Sequence, residues 1–572
     1  MAGSAWGQTL AELVPANSVF YVGWRGTANP GKGFAGSKLE AVTKDGQLGK
    51  FIDDTVPAMG KAAAQRFPAY AGPSQAATGI VRQLIREPSA IFFEMAGDRP
   101  HGGMLTRAGA NTPKIKAALE EIARAIPAPI KPRVVTPGDS VGIVFGYDAD
   151  EPVDGGLDQQ PEFKKGLAYC VPDPETAAFI NIKAGLDAIE LVLAQNVSLE
   201  NVDRYRRFVD ASGFAGVKAL TLADGFAGRE WQSDAFLDAP MPRKGFFAVS
   251  PAESFDADLL KRVPMSSNTA GLMHFDASGS LQTLRDVAAA TDPMAGDAVD
   301  KGIGAITMAI GKNLQNDLLA SLGNQWAFYT APEVGGPSFA GMVMVNKLAN
   351  PLKAKQSIAA AAMFVTNTAH NALNSHNITV ALKTIKSGDA TVYYYATPFV
   401  APAWTIKDGY LFVSMYPQTT IAAAKYAGKG FDELDAFKAA VTGDSAKPMA
   451  FSYFDIKPTL AEGYGGMLAV GRTVFGLSDM FLTATPEPIL PPLAPMLAEA
   501  TPVTDVSWAD DAGLHSRTRT PWPGAAGMAN FSLGNSLANS VPQMISGIMP
   551  AVMQAQQQMG QQAPPPPPAE VP

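Results

Sequence analysis

The sequence predicts an α+β fold of two tandem homologous modules, each a mixed or antiparallel sheet packed with helices, followed by an uncharged C-terminal tail. Three observations support this prediction: an internal repeat, strand pairs interspersed with amphipathic helices, and a long C-terminal stretch without charged residues. Hairpin-like strand pairs between helices favour this class over a doubly wound parallel sheet.

The internal repeat relates residues 430–460 to residues 156–186 at a constant offset of 274 positions, without a gap. Eight of the 31 aligned positions are identical, which favours a tandem duplication. The alignment places Asn181 and Asp455 at equivalent strand ends and predicts that Phe179, Ile180, Tyr453 and Phe454 include core residues. The organisation we predict is a disordered N-terminus (1–8), a first module (9–240), a second module (241–525), an apolar tail segment (526–553) and a disordered Gln/Pro-rich end (554–572).

The first module begins with a β-branched and aromatic run at 18–24, typical of a strand. Residues 89–95 and 103–107 resemble paired strands, and Thr112 is the expected N-cap of the helix that follows, with Pro113 as its first residue. We expect further strands at 141–147 and 177–182, and the last strand of the module at 218–222.

The second module repeats this order. Residues 262–276 resemble the opening strand with its preceding Val-Pro, and NQWAFYTA and GMVMVNKL resemble the strand pair. A helix is expected at 350–365, and strands at 391–395, 410–415 and 503–508.

Charge and hydropathy exclude some functions. The net charge is −8 and the pI near 5.3, and no basic stripe is present, so the sequence predicts no nucleic-acid partner. No run of about 18 apolar residues occurs, so we expect no transmembrane span. The first residues lack the basic and apolar regions of a signal peptide. Two locations remain open: periplasmic or cell-surface if an upstream signal peptide was removed, and otherwise cytoplasmic.

Catalytic motifs are weak. Residues 31–36 match GxGxxG but lie too far from the preceding strand, which favours a flexible connector over a dinucleotide loop. The five histidines are scattered, and Cys170 is the single cysteine, so we expect it to pack as a small hydrophobic residue. We therefore predict no catalytic residues and no bound organic cofactor.

An acidic loop at 148–158 is the best local signal of a ligand site. Its aspartates supply the oxygen ligands that calcium prefers, although the spacing is not that of an EF-hand. The alternative is a solvated loop. The candidate calcium ligands are Asp148, Asp150, Asp154 and Asp158.

Several segments together resemble bacterial exported proteins that carry an uncharacterised domain. These segments are LVPANSVFYVGW, RVPMSSNTAGLMHFD, LLASLGNQWAFYTAP, TIKDGYLFVSMYP and GLHSRTRTPWPG. The resemblance covers about residues 9–525 and implies an envelope location without implying an activity.

We therefore expect a non-enzymatic envelope or surface scaffold or binding protein whose modules present a sheet face or cleft to a partner. The alternative is a hydrolase with its site in the groove between the modules. From residue 520 to residue 569 the chain has no Asp, Glu, Lys or Arg. The tail is expected to pack against the modules, or to bind a protein or envelope partner or a second copy of the chain through Met544, Ile548 and Val552.

Overall fold

A computed structural model describes residues 9–44, 71–97, 99–126, 132–148, 151–248, 253–373, 380–397, 400–481 and 491–525, together with residues 57, 61 and 64. It confirms the α+β class. The described strands join in one sheet of 18 strands in which every pairing is antiparallel.

The first half contains eight of these strands and six α-helices among its described residues. They are β1 (Phe20–Trp24), α1 (Lys38–Thr43), α2 (Ala71–Arg86), β2 (Ser89–Ala96), β3 (Arg99–Arg107), α3 (Thr112–Ala125), β4 (Arg133–Val135), β5 (Ser140–Phe145), α4 (Pro161–Ala168), β6 (Pro174–Asn181), α5 (Ile182–Asn196), α6 (Leu199–Ser212), β7 (Ala219–Ala227) and β8 (Glu230–Asp238).

The second half contains ten strands and eight α-helices within the part of the chain that the structure describes. They are α7 (Ala257–Lys261), β9 (Thr269–His274), α8 (Ala277–Thr291), α9 (Pro293–Ile310), β10 (Gln325–Thr330), β11 (Val343–Lys347), α10 (Pro351–Leu373), β12 (Ala381–Ser387), β13 (Ala390–Ala396), β14 (Ala403–Lys407), β15 (Tyr410–Ser414), α11 (Pro417–Lys425), α12 (Asp435–Ala440), β16 (Ala450–Phe454), α13 (Ile456–Phe481), α14 (Leu493–Glu499), β17 (Val503–Ala509) and β18 (Gly513–Thr520).

The strand order across the sheet repeats in the two halves, except that the second half has two further strands, β12 and β13, at its edge. In the first half it is β4-β5-β3-β2-β1-β6-β7-β8. In the second half it is β12-β13-β14-β15-β11-β10-β9-β16-β17-β18. The strands β8 and β18 pair with each other, so the two halves meet edge to edge and form a continuous sheet.

The repeat found in the sequence forms the same elements in both halves. Helix α4 begins at Pro161 and helix α12 at Asp435, and helices α5 and α13 begin at Ile182 and Ile456, each pair at the offset of 274 positions. Asn181 accepts a hydrogen bond from the Ala184 amide at the start of α5. Asp455 likewise accepts from the Lys457 amide, so both residues lie at the equivalent strand-to-helix junction.

A second local match precedes the first strand of each half. Ser18 Oγ donates to the Pro15 carbonyl at 2.7 Å, and Ser267 Oγ donates to the Pro264 carbonyl at 2.7 Å. Both serines are buried. A buried hydroxyl requires a hydrogen-bond partner, and the same turn supplies one in each half.

The two faces of the sheet have different neighbours. Side chains alternate between the faces along each strand, and directly paired residues share a face. We call the face that carries Tyr21, Phe179 and Tyr453 the packed face; its residues form the two largest core clusters, one in each half. The rings of Phe163 on α4 and Phe179 meet edge-on with centroids 5.4 Å apart. Phe437 on α12, the equivalent of Phe163, also meets a strand residue edge-on, with its ring centroid 5.1 Å from that of Phe451.

The predicted core residues follow this alternation. Phe179 is fully buried and Tyr453 is 6 % exposed on the packed face. Their neighbours Ile180 and Phe454 lie on the opposite face and are half-buried. The prediction that the four include inward-facing residues is therefore confirmed.

The pairing of β8 with β18 has an approximate two-fold centre. Thr221 on β7 pairs with Phe236 on β8, and the equivalent Thr504 on β17 pairs with Arg519 on β18. Each residue of β8 is therefore equivalent to the residue of β18 that lies 283 positions later in the chain. Asp234 therefore corresponds to Arg517, and these two residues are directly paired with each other. Arg517 Nε donates to Asp234 Oδ1 at 2.8 Å. In a symmetric dimer of identical chains this position would face its own copy, whereas a duplicated chain can place opposite charges there.

Three details of the sequence prediction are wrong. Residues 218–222 do not form the last strand of the first half, because β8 follows β7. The N-cap of α3 is Asn111, one residue earlier than expected, and Thr112 is inside the helix. Helices α8 and α9, between β9 and β10, were not expected.

Some expectations about the organisation of the chain stay predictions. The module boundaries at 240/241 and 525/526 remain predictions, and the two tail segments and residues 1–8 lie outside the described residues. Among the helices that the structure describes, none is long and apolar enough to cross a membrane.

Candidate functional site

The opposite face of the sheet carries an apolar surface in the first half. A row of paired residues crosses eight strands from β5 through β8 to β18, and all of its members are apolar or glycine. The row is Phe145, Gly102, Phe93, Phe20, Ile180, Leu220, Leu237 and Leu514.

A second row lies two residues along the same strands. It ends in a serine on β18 and is otherwise apolar. This row is Ile143, Met104, Ile91, Val22, Ala178, Leu222, Ala235 and Ser516. We call the surface formed by the two rows the open face. Helices cover part of its end at β3 and β5, where Met104 and Ile143 pack in a cluster with residues of α2 and α3.

Other parts of the open face are accessible to solvent, although their strands lie inside the sheet. Phe20, Ile91, Phe145 and Leu222 are 37–42 % exposed. With strands about 4.8 Å apart, eight strands give a band roughly 34 Å long, and the two rows lie roughly 7 Å apart. Exposed apolar surface of this extent on a monomer marks an interaction site.

The second half shows that the fold does not require this apolar face. Because the strand registers correspond, the six open-face residues on β1, β6 and β7 have equivalents on β9, β16 and β17. Polar residues or glycine replace the apolar ones at four of these positions: Thr269 for Phe20, Gly271 for Val22, Ser452 for Ala178 and Asp505 for Leu222. Phe454 and Val503 remain apolar, but they pack in a cluster with α13 and α14.

A pocket of about 530 Å³ lies beside the open face, further along strands β1, β6, β7 and β8. Its size is typical of sites for small ligands. Trp24 on β1 and Thr176 on β6 lie on the same face of the sheet as the two rows. Phe226 on β7 and Trp231 on β8 lie on this face as well. The Trp24 indole donates to the Leu84 carbonyl at 2.6 Å, which fixes this wall. Phe34, Leu39, Ile85 and Pro523 are further apolar residues of the lining.

The polar groups of the pocket include Glu175 and Arg86. Burial raises the pKa of Glu175, while the Gly31 amide, which donates to its carboxylate at 2.5 Å, and the nearby Arg25 lower it in part. Arg25 is buried and also pairs with Asp173. The pocket therefore combines aromatic walls with a carboxylate held by fixed partners.

The GxGxxG match forms the rim of this pocket rather than a phosphate loop. Residues 32–34 form a short 3₁₀-helix, and Phe34 lines the pocket. A Cβ atom at Gly33 would lie 2.4 Å from the Phe226 Cβ, and one at Gly31 would lie 2.3 Å from the Glu175 carboxylate. Both glycines are therefore explained by close packing at the rim.

The predicted calcium ligands are not gathered into a site by the described residues. Asp148 pairs with Arg99 at 3.2 Å, Asp154 is exposed, and Asp158 accepts a hydrogen bond from its neighbour Gln159. Asp150 lies outside the described residues. Within the described part of the chain, no group of three or more His, Cys, Asp or Glu residues has an arrangement that could hold a metal ion. Calcium binding by the loop remains a prediction.

A buried polar cluster lies beside this loop and was not expected. His101 is 1 % exposed, and its Nδ1 lies 3.7 Å from Glu94 and 3.9 Å from Glu151. The Tyr147 hydroxyl donates to Glu94 at 2.5 Å, and its ring packs on the imidazole. These residues lie at the ends of β2, β3 and β5, so only strand pairing brings them together.

Cys170 and His515 have structural roles. Cys170 is buried, and burial raises the pKa of its thiol to about 12, so it packs as a small hydrophobic residue. His515 is stacked on Trp508 with ring centroids 4.9 Å apart, and its Nε2 lies 3.0 Å from Asp510. Further aromatic rings surround this imidazole.

The junction of the two halves was the expected place for a hydrolase site. Asp234 is bound there by Arg517, and Asp238 is bound by Lys165 at 2.7 Å. These carboxylates therefore serve the packing of the junction.

Comparisons with known proteins leave the function open. No family model matches the chain, and no curated protein does. Among solved structures, crystal form III of a protein called TP0453 is 10 % identical, with a TM-score of 0.19, and the match covers 42 % of this chain and 82 % of that one. Crystal form IV of the same protein is 11 % identical, with a TM-score of 0.17 over 41 % of this chain and 83 % of that one. Likeness at this level carries no argument about fold or function.

Proposed function

We propose that this chain is a non-enzymatic binding protein of the bacterial envelope or surface that holds an elongated apolar ligand on its open face. The observation that carries the proposal is the difference between the two halves. Where the second half has Thr269, Ser452 and Asp505, the first half has Phe20, Ala178 and Leu222 in the same sheet positions, and Phe20 and Leu222 are exposed.

The physical argument is that an exposed apolar face weakens solubility and adds no stability unless something covers it. Thr269 and Asp505 show that this sheet also folds with polar residues at these positions. Retention of large apolar side chains in the first half therefore indicates a binding surface rather than a folding requirement.

The ligand class follows from the shape and polarity of the surface. The two rows carry no charged side chain, and the band is several times longer than it is wide. The pocket beside this band has Trp24 and Trp231 in its walls and Glu175 among its few polar groups. An acyl chain along the rows meets no charged side chain. A headgroup attached to it reaches the pocket past Thr176 and Asp224, which lie on the same face between the rows and Phe226.

The envelope location comes from the resemblance to exported proteins, and a hydrolase remains the alternative. The hydrolase hypothesis requires catalytic groups that converge at the junction. The carboxylates there are paired with cations, Asp234 with Arg517 and Asp238 with Lys165. Fractionation of cells that produce the full precursor tests the location.

The test of the proposed function uses cis-parinaric acid, a fluorescent 18-carbon fatty acid, as the probe. We expect saturable binding to the full chain, and at least tenfold weaker binding when Phe20→Thr and Leu222→Asp are combined. These substitutions introduce the residues that the second half tolerates at the same positions, so the fold is expected to persist.

Leu284→Asp is the matched control, because Leu284 is 47 % exposed on α8, away from the two rows. Circular dichroism and thermal unfolding check that all variants are folded. Absence of saturable binding, or equal binding by the double variant and the control, would refute the proposed function.

A further inference from the structure

We propose that the uncharged segment 526–553 docks on the open face of its own chain and competes there with the apolar ligand. The inference rests on the proposed function in that both use the same surface. It adds a second occupant of that surface.

The first argument is where the described chain ends. Pro523 lines the pocket beside the open face. Trp522 and Ala525 are buried in a cluster with Val42 of α1 and Met496 of α14. Residue 526 therefore follows directly from an anchored position beside the pocket.

The second argument is composition. No Asp, Glu, Lys or Arg occurs between residues 520 and 569, whereas 17 % of the whole chain is charged. The open face likewise has no charged side chain in its two rows. Docking of the segment there leaves no charge unpaired. The apolar residues available are Met528, Phe531, Leu533, Met544, Ile545, Ile548, Met549, Val552 and Met553.

The third argument is reach. The 28 residues of the segment span about 42 Å as a helix and up to roughly 90 Å when extended. The band on the open face is roughly 34 Å long. The segment is therefore long enough to follow the rows from the pocket in any conformation between these limits.

Tethering gives the segment an advantage over a free ligand. A segment attached at the rim of its own site has an effective concentration in the millimolar range. Free ligand must displace it, so the apparent affinity of the full chain for an acyl chain is lower than that of the uncovered face.

The test uses the full chain with a reporter thiol on the open face, introduced by Leu222→Cys. The native thiol of Cys170 is buried and has a raised pKa, so it reacts slowly with maleimide. To disrupt tail docking, Phe531→Asp, Met544→Asp and Ile548→Asp are combined. All three positions lie in the tail, so the residues of the open face itself are unchanged. We expect these substitutions to raise the labelling rate of the reporter at least threefold.

The control reporter is Phe246→Cys, because Phe246 is 48 % exposed on a short helix outside the two rows. Its labelling rate is expected to be unaffected by the tail substitutions. An unchanged rate for the Leu222→Cys reporter would overturn the proposal. A protection that disappears on dilution would also overturn it, because the occupant would then be the tail of a second copy.

The same variants separate this proposal from the proposed function. If the tail substitutions strengthen parinaric acid binding, both proposals are supported. If the reporter is protected but no variant binds parinaric acid, the tail docks and the ligand proposal fails. If parinaric acid binds with equal affinity to both tail forms and the reporter is unprotected, the ligand proposal stands and the tail proposal fails.

Discussion

Removal of the Arg517 side chain is expected to destabilise the junction between the two halves strongly. The Asp234 side chain is 1 % exposed and that of Arg517 is 34 % exposed. After Arg517→Met, Asp234 retains a hydrogen bond from Gln232 Nε2 at 2.7 Å but loses its cation. A buried carboxylate left without its partner costs about 3 to 5 kcal/mol. Because water reaches Arg517, we expect the lower end, about 3 kcal/mol.

The assay is urea unfolding of a double-mutant cycle with Asp234→Asn. The asparagine removes the charge with little change in shape, so the double variant is expected to regain most of the loss, with a coupling of about 2 kcal/mol. Arg519→Met on the same strand is the control and is expected to change stability by no more than about 0.5 kcal/mol. A loss below about 1 kcal/mol for Arg517→Met, or additivity in the cycle, would refute the reasoning.

Two further predictions concern stability. Phe179 is fully buried against Phe163, so Phe179→Ala is expected to lower the free energy of unfolding by about 3 to 5 kcal/mol. Its half-buried neighbour Ile180 lies on the open face, so Ile180→Ala is expected to cost less, and equal losses would contradict the assignment of faces. Burial alone would raise the pKa of Asp256, but hydrogen bonds from Lys347, the Tyr410 hydroxyl and the Leu259 amide outweigh it and lower the pKa to about 2. The stability contributed by this carboxylate is present above about pH 4 and is lost as the pH falls towards 2. Allowing for partial solvent screening, we expect this carboxylate to account for roughly 1 kcal/mol of the free energy of unfolding that is lost between pH 5 and pH 2. Asp256→Asn is expected to abolish that part of the loss. An unchanged pH profile of the unfolding midpoint would contradict this explanation.

Local sequence patterns predicted those features of the fold that depend on residues close together in the chain. The repeat was visible because residues 156–186 and 430–460 align without a gap, and the structure forms α4 and α12 from it in the same register. The repeat also predicted that Phe179, Ile180, Tyr453 and Phe454 include core residues, and the structure shows that Phe179 and Tyr453 are the buried ones.

The open face was decided by tertiary structure. Along β1 both faces are apolar, with Phe20 on one side and Tyr21 on the other, so alternation does not indicate which of them a helix covers. Phe20 becomes part of a binding surface because Phe93 and Ile180, distant in sequence, pair with it on the same side. The pocket likewise requires Trp24 and Trp231 to converge from separate strands. Such pairings depend on the register between distant strands, which local sequence patterns do not specify.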